Sequence, residues 1–296
     1  MKNPHLIRRA VDHVTRNRYR YVTLAFAFLL CKCGVEKVGG WEASKLECNT
    51  TNLPAEALPG VGPLRIAFLT DLHNSPAQFN KVVEVLRHKK PDLIIFGGDL
   101  VNADQRFRRT RWAVNSFREL TGIAPTFAIL GNHDYEKLEQ VERVLSTAGV
   151  KLLRNEAINW QTPSGTRLRI VGLGDWNEGD EAPQRCLLKN GEDTTPVLLL
   201  SHDPESRWGL RDYDWDIMLS GHNHGGQIGI PFTDVYLSFR SSMPAGLYSF
   251  EGNRQVFVSR GVGSVMGMRF FCPPELNIIE LGTSPVRRTE LPQSQP

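Results

Sequence analysis

The sequence lacks every common arrangement of structural cysteines. Its 296 residues include five cysteines, an odd number, and none of them belongs to a Cys-x-x-Cys pair. Cys31 and Cys33 are one residue apart, which is an awkward spacing for a mutual disulfide. We therefore expect neither a disulfide framework nor a zinc site built from thiolates.

The body of the chain also lacks a charge excess. Residues 1–62 carry nine Lys/Arg against five Asp/Glu, a net charge of +4, which leaves 26 against 27 for the rest, a net −1. The body gives no electrostatic indication of nucleic-acid binding, and no nucleic-acid partner is expected.

The basic excess lies in residues 1–38, which we interpret as a membrane-associating segment. Residues 2–20 contain six Lys/Arg, with apolar residues at the spacing of a basic amphipathic helix. The apolar run from Tyr21 to Cys31 is shorter than the roughly 20 residues of a transmembrane helix, and matches a signal-peptide core or an interfacial segment. We expect inner-membrane association, as a peripheral or signal anchor. The sequence does not choose between the two, does not fix the side of the membrane, and leaves a packed helix as the alternative.

The remaining chain divides into three parts. Glycine and proline pairs predict a linker over residues 39–63, before a globular domain at 64–282 and a flexible tail at 283–296. Strand and helix patterns alternate between 64 and 148, which favours parallel strand pairing with right-handed crossovers. Later strand-like runs have shorter connections, so we expect a second sheet packed on the first, with helices outside.

Five strand-like apolar runs each end on a potential metal ligand. Because loops at the carboxyl ends of strands converge on one crevice in open α/β sheets, these side chains are expected to meet. The runs begin at Ile66, Leu93, Thr126, Val197 and Ile217. The side chains that follow them are Asp71 and His73, then Asp99, then Asn132, His133 and Asp134, then His202, and finally His222 and His224.

Each of these residues alone has a structural explanation, since Asp and Asn cap helices and buried histidines are common. Their joint occurrence favours a metal site, because five of the eight histidines fall in this set and helix capping gives no reason for His-x-His. Imidazole, carboxylate and amide ligands without cysteine fit Mn best, with Fe or Zn as alternatives. The candidate ligands exceed one tetrahedral shell, so we expect two ions.

In order and spacing, these motifs resemble the calcineurin-like metallophosphoesterase superfamily over roughly 64–281. The sequences at 124–128, 215–219, 225–227 and 260–264 are similar to a branch of bacterial phosphodiesterases. The resemblance implies an α/β fold, a four-layer αββα sandwich of two mixed β-sheets flanked by helices. It also implies a phosphoric diester hydrolase.

The resemblance also implies a role for each residue. Asp71, His73 and His224 would hold one ion, Asn132, His202 and His222 the other, and Asp99 would bridge them. A hydroxide bridging the ions would attack the phosphate ester, with His133 as the general acid. Asp134 would either orient His133 or cap a helix, and the sequence leaves both open.

Two alternatives remain at this stage. The basic N-terminus suggests a lipid-linked phosphate ester, such as the UDP-acyl-sugar whose pyrophosphate is cleaved in lipid A assembly. The third candidate belongs to another class, a catalytically silent binding module tethered to the membrane.

Overall fold

The computed structural model describes residues 35–102, 110–189, 191, 193–233, 235–238 and 241–282. Residues 1–34 of the predicted membrane segment and the whole predicted tail, 283–296, lie outside these ranges. The α-helices are α1 (Val35–Ala43), α2 (Pro76–Lys89), α3 (Arg111–Ile123) and α4 (Leu138–Thr147). None of the helices within the described ranges is long and apolar enough to cross a membrane.

Two mixed β-sheets form the centre of the molecule. The first has the strand order β1-β12-β2-β3-β4-β5, and β2 to β5 run parallel. Its strands are β1 (Glu47–Leu53), β2 (Leu64–Leu69), β3 (Leu93–Phe96), β4 (Thr126–Ala128), β5 (Lys151–Leu152) and β12 (Glu275–Leu281). This sheet contains the predicted β-α-β-α succession, with α2, α3 and α4 as the connecting helices.

The second sheet has the order β10-β11-β9-β8-β7-β6, and its four central strands run parallel. Its strands are β6 (Glu156–Gln161), β7 (Arg167–Gly172), β8 (Val197–Leu200), β9 (Ile217–Ser220), β10 (Gly246–Ser249) and β11 (Gln255–Val258). The predicted second sheet is therefore confirmed. The prediction missed β6, whose sequence contains no apolar run longer than two residues.

Alternating side chains place each sheet between two apolar layers. In β2, Ile66 and Phe68 face the second sheet, whereas Ala67 and Leu69 pack with the helices. This alternation follows from the two-residue period of a strand. Helix α2 buries Phe79, with other apolar residues at helical spacing, against the same outer face.

The fold is the predicted arrangement of two mixed sheets flanked by helices. It differs from the prediction in the layer that covers the outer face of the second sheet. Among the described residues, no α-helix covers the outer face of the second sheet. Leu187 and Leu210 follow short 3₁₀-helices, Pro183–Arg185 and Pro204–Trp208, and pack on that face with Trp215. Short turns therefore cover the second sheet where α-helices cover the first.

The predicted linker over residues 39–63 is wrong. This stretch contains the end of α1 and all of β1, which pairs in parallel with β12 over its full length. The prediction failed because β1 has the polar sequence Glu-Cys-Asn-Thr-Thr-Asn-Leu, which gives no apolar run. An edge strand pairs with a single neighbour, so a polar sequence suffices there.

Candidate metal centre

The predicted ligands sit on sharp turns immediately after the strands. Asp71, His73, Asp99, His222 and His224 all have positive φ, between 44° and 67°. This left-handed conformation is uncommon for residues other than glycine, and persists only where surrounding contacts enforce it. Five such residues at the ends of β2, β3 and β9 indicate backbone strain concentrated at one functional site.

The residues assigned to the first ion converge in the structure. His73 Nε2 lies 2.9 Å from His224 Nε2, and His224 Nε2 lies 3.3 Å from Asp71 Oδ1. One donor atom from each residue falls within a single cluster whose atoms are all within 4.8 Å of one another. All three side chains are buried.

The residues assigned to the second ion lie next to this cluster. His222 Nδ1 is 3.0 Å from Asn132 Oδ1, and the ring centroids of His202 and His222 are 5.3 Å apart. Asp99 lies between the two groups, with Oδ2 3.2 Å from His202 Nε2 and 3.6 Å from His73 Nε2. The structure thus brings together the ligands that the sequence predicted.

The protonation of His202 tests whether these residues fit a metal. His202 Nδ1 lies 2.7 Å from the carbonyl oxygen of Gly97, and because a carbonyl only accepts, Nδ1 must donate. Nε2 has no hydrogen-bond partner within the described part of the chain, and faces the Asp99 carboxylate. Either a proton or a metal ion on Nε2 is therefore needed between this nitrogen and the Asp99 carboxylate. A cation between them satisfies both, so the donor set fits a metal ion.

The charges at the centre favour a cation as well. Burial alone would raise the pKa of Asp71, but the neighbouring His224 and His73 lower it below its usual range. Burial would lower the pKa of His202, yet the Asp99 and Asp71 charges raise it well above the ordinary value. Two buried carboxylates thus remain anionic and draw positive charge into the site.

His133 lies at the edge of the cluster and is half-buried. Its ring packs edge-on against His73, with centroids 5.1 Å apart, and its backbone N–H donates to Asp99 Oδ1 at 2.9 Å. A ring nitrogen of His133 is also close enough to His73 and Asp99 to belong to a three-residue ligand group. Geometry therefore permits two roles, a non-ligand acid and a ligand.

Asp134 closes the first turn of the 3₁₀-helix Asn132–Lys137, but it is not the N-cap residue, which is Gly131. Its fully buried carboxylate accepts the N–H of Gly131 at 3.1 Å and the N–H of Asp99 at 2.9 Å. It also accepts N–H groups from Leu100 and Val101. Burial and the Asp99 charge raise the pKa of Asp134 to about 7. These contacts join the Asp99 loop to the His133 loop.

Sequence reasoning missed two acidic residues near the second group of ligands. Asp203 Oδ2 lies 3.6 Å from His222 Nε2 and accepts from Asn177 Nδ2 at 2.7 Å. Its position favours Nδ1 as the atom of His222 that faces the ions. The buried Asp175 follows β7 closely, and thus marks a sixth strand end with an acidic or imidazole side chain. The strand-end rule that selected the ligands could have identified Asp175.

Arg269 is a fully buried cation that no sequence motif indicated. Its Nη2 donates to the carbonyl oxygen of Arg260 at 2.7 Å and lies 3.2 Å from His224 Nδ1, and its Nη1 donates to the carbonyl oxygen of His224 at 3.3 Å. It also bonds to the carbonyl of Gly263, whose N–H donates to the carbonyl of Asp71 at 2.7 Å. Arg269 therefore holds the loop after β11 against ligands from both sheets.

Comparison with known proteins gives a consistent result. The profile of the family described as calcineurin-like phosphoesterase matches residues 64–226, more than half of the chain. The chain is 37% identical over 232 residues to phosphodiesterase YaeI of Escherichia coli (strain K12), which covers 74% of this chain and 82% of that protein.

A second relative is a pyrophosphatase by name. UDP-2,3-diacylglucosamine pyrophosphatase LpxG of Chlamydia muridarum (strain MoPn / Nigg) is 27% identical over 274 residues, 73% of this chain and 83% of that protein. Among solved structures, TT1561 of Thermus thermophilus aligns with 67% of this chain and 90% of its own, at 12% identity and a TM-score of 0.43.

Proposed function

The chain belongs to the calcineurin-like phosphoesterase family and is a phosphoesterase, and we propose that it hydrolyses a phosphate diester with two divalent metal ions. The motif resemblance to this family is thereby confirmed. The observation that carries the proposal is the convergence of seven Asp, Asn and His side chains at the carboxyl ends of strands from both sheets. The similarity to a phosphodiesterase supports a diester as the substrate.

The ligands divide between the ions as their contacts suggest. Asp71, His73 and His224 would hold one ion, and Asn132, His202 and His222 the other. Asp99 would contact both, since its carboxylate lies within 3.6 Å of His73 and His202. Manganese is the first choice for this oxygen and imidazole set, with iron and zinc next.

When bound, the two ions would supply Lewis-acid polarisation of the phosphoryl oxygens. The protein's own residues handle orientation and the proton. His133, half-buried at the edge of the site, would donate a proton to the departing ester oxygen. Asp134 would act as a positioning residue, because it fixes the backbone that carries Asp99 and His133.

The test is hydrolysis of a chromogenic bis-aryl phosphate by the full chain. We expect turnover in Mn²⁺, loss of turnover after chelation, and recovery when Mn²⁺ is returned. A folded sample that takes up metal but cleaves no diester would contradict the proposed substrate class. A folded sample that takes up no metal would contradict the metal site.

The second candidate is a pyrophosphatase that acts on a UDP-acyl-sugar at the inner membrane. Similarity to LpxG favours it, as does the basic and apolar N-terminal segment, which would attach the chain as a peripheral or signal anchor. Release of UMP from the acyl-sugar nucleotide, assayed beside the bis-aryl phosphate, separates the candidates. A rate constant at least tenfold higher for one of the two substrates supports the corresponding candidate function.

A further inference from the structure

Exposed apolar side chains cluster at one part of the surface. Nine of the thirteen large hydrophobic residues that are exposed in the described part of the chain lie on α1 and on two loops, 228–238 and 264–271. Scattered exposed apolar residues are ordinary, but a contiguous group marks an interaction site. We name the group the apolar rim, and its most prominent members are Trp41, Ile230, Phe232, Val235, Met266 and Phe271.

The rim is one connected surface, because its three segments bond to each other. The N–H of Gly229 donates to the carbonyl of Phe270 at 2.7 Å, and the N–H of Phe270 donates to the carbonyl of Gln227 at 2.9 Å. The neighbouring Arg269 N–H donates to the carbonyl of Gly39 in α1 at 3.1 Å. A Cβ on Gly39 would fall 2.6 Å from the Phe270 ring, so helix and loop are in close contact.

The rim borders the metal centre. Loop 228–238 packs its Leu237 backbone against Gly226, two residues after His224. Loop 264–271 carries Arg269, which donates to the carbonyl oxygen of His224. Hydrolysis of a phosphate ester does not itself require apolar residues here, so the rim indicates a neighbouring apolar phase or partner.

We propose that the apolar rim inserts into the interface of a lipid bilayer and places the metal centre at the membrane surface. The chain outside the described residues supports this occupant, because residues 1–34 end at α1, and that segment contains six Lys/Arg before the apolar run from Tyr21 to Cys31. Stable attachment to a membrane generally takes two signals, and a basic segment plus an apolar insertion supplies them.

Individual side chains have the chemistry of an interfacial surface. Phe232 lies in loop 228–238 with a positive φ of 62°, and its side chain is fully exposed. The side chain therefore has no packing role among the described residues. Trp41 is exposed, and Lys45 Nζ lies 3.4 Å from its ring centroid. Trp and Lys are both suited to the headgroup region, since each has an apolar body and a polar end.

The proposal deepens the proposed function by placing its phosphate ester in the membrane plane. The binding step needs no hydrolysis, so its test is independent of that function. The full chain is sedimented with vesicles of phosphatidylethanolamine and phosphatidylglycerol at 3:1. Phe232→Ser/Met266→Ser should lower the partition coefficient about tenfold or more, as expected for two apolar side chains withdrawn from the interface.

The control is Leu188→Ser, which removes an exposed apolar side chain outside the rim. Leu188 lies beside Asp214 at the start of β9, the opposite end from its metal ligands. We expect wild-type partitioning for the control. The rim variant and the control should both retain metal and cleave the soluble bis-aryl phosphate, which establishes that they fold.

A probe at the rim separates the bilayer from other occupants. A polarity-sensitive dye on Phe232→Cys should shift to the blue when vesicles are added, whereas a dye on Leu188→Cys should not. Wild-type partitioning of the rim variant, or no shift at position 232, would overturn the proposal. A shift without vesicles would also overturn it. If that blue shift without vesicles grows with protein concentration, a second copy of the chain covers the rim. If it is independent of concentration, residues 1–34 of the same chain cover the rim.

Discussion

At the residue scale, His133 lies at the edge of the proposed ligand cluster and is linked to Asp99 through its backbone N–H. His73, His202 and His224 are buried, whereas His133 is half-buried, as are the proposed ligands Asn132 and His222. A proton donor must reach the substrate, and the partial exposure of His133 permits this. The backbone bond to Asp99 keeps His133 beside the proposed metal site, where its ring can serve as an acid or as a ligand.

We predict that His133→Ala keeps its metal and loses turnover, by about 10²–10⁴-fold as for removal of a general acid. Asp99→Asn should lose bound metal, because both ions share that carboxylate. Metal content by elemental analysis and kcat on the bis-aryl phosphate measure the two effects. His88→Ala is the matched control, since His88 is exposed on α2 and should change neither quantity. Loss of metal from His133→Ala would show that His133 is a ligand.

At the element scale, the loops after β3 and β4 meet at Gly131 without space for a side chain. A Cβ at this position would lie 2.3 Å from Asp99 Oδ1 and 2.6 Å from the Asp99 nitrogen. The φ of Gly131 is −101°, so the backbone itself would accept alanine. The close approach of the two loops is therefore what requires glycine, and it places Asp99 between the two groups of ligands.

We predict that Gly131→Ala lowers metal affinity about 10- to 100-fold, as for displacement of a residue that orients a ligand. Overpacking should also lower the free energy of unfolding by about 1–3 kcal/mol. The control is Gly122→Ala in α3, where an added Cβ meets nothing within 4 Å. It should raise stability by about 0.5–1 kcal/mol through helix propensity. Metal titration and denaturant unfolding test both variants, and unchanged affinity in Gly131→Ala would contradict the steric argument.

The strands whose ends supplied the predicted ligands share one property, near-complete burial. Strands such as β3 and β8 read as continuous apolar runs, and the candidate ligands follow directly from their ends. The edge strands β1 and β6 were missed, because neither contains an apolar run longer than two residues. Arg269 was missed for another reason. Arg269 contacts His224, which is 45 residues away in the chain, and the sequence around Arg269 does not indicate this contact.

At the scale of the whole molecule, the metal centre joins the two sheets. Asp71, His73, Asp99 and Asn132 follow strands of the first sheet, whereas His202, His222 and His224 follow strands of the second. Each proposed ion therefore has ligands from both sheets. The apolar layer between the sheets holds them face to face. The ions would link them at the carboxyl ends of their strands.

We therefore predict that metal removal lowers the stability of the whole sandwich. Metal at a thousandfold excess over its dissociation constant stabilises the folded state by about 4 kcal/mol, because it binds only where the sheets are assembled. For a domain of this size that corresponds to a fall in Tm of about 10 °C on chelation. Calorimetry of the loaded and the chelated protein measures the change. Asp99→Asn provides the control, since it should unfold at the same temperature with and without Mn²⁺. Equal Tm values for the loaded and the chelated wild-type protein would mean that the ions do not stabilise the assembly of the two sheets.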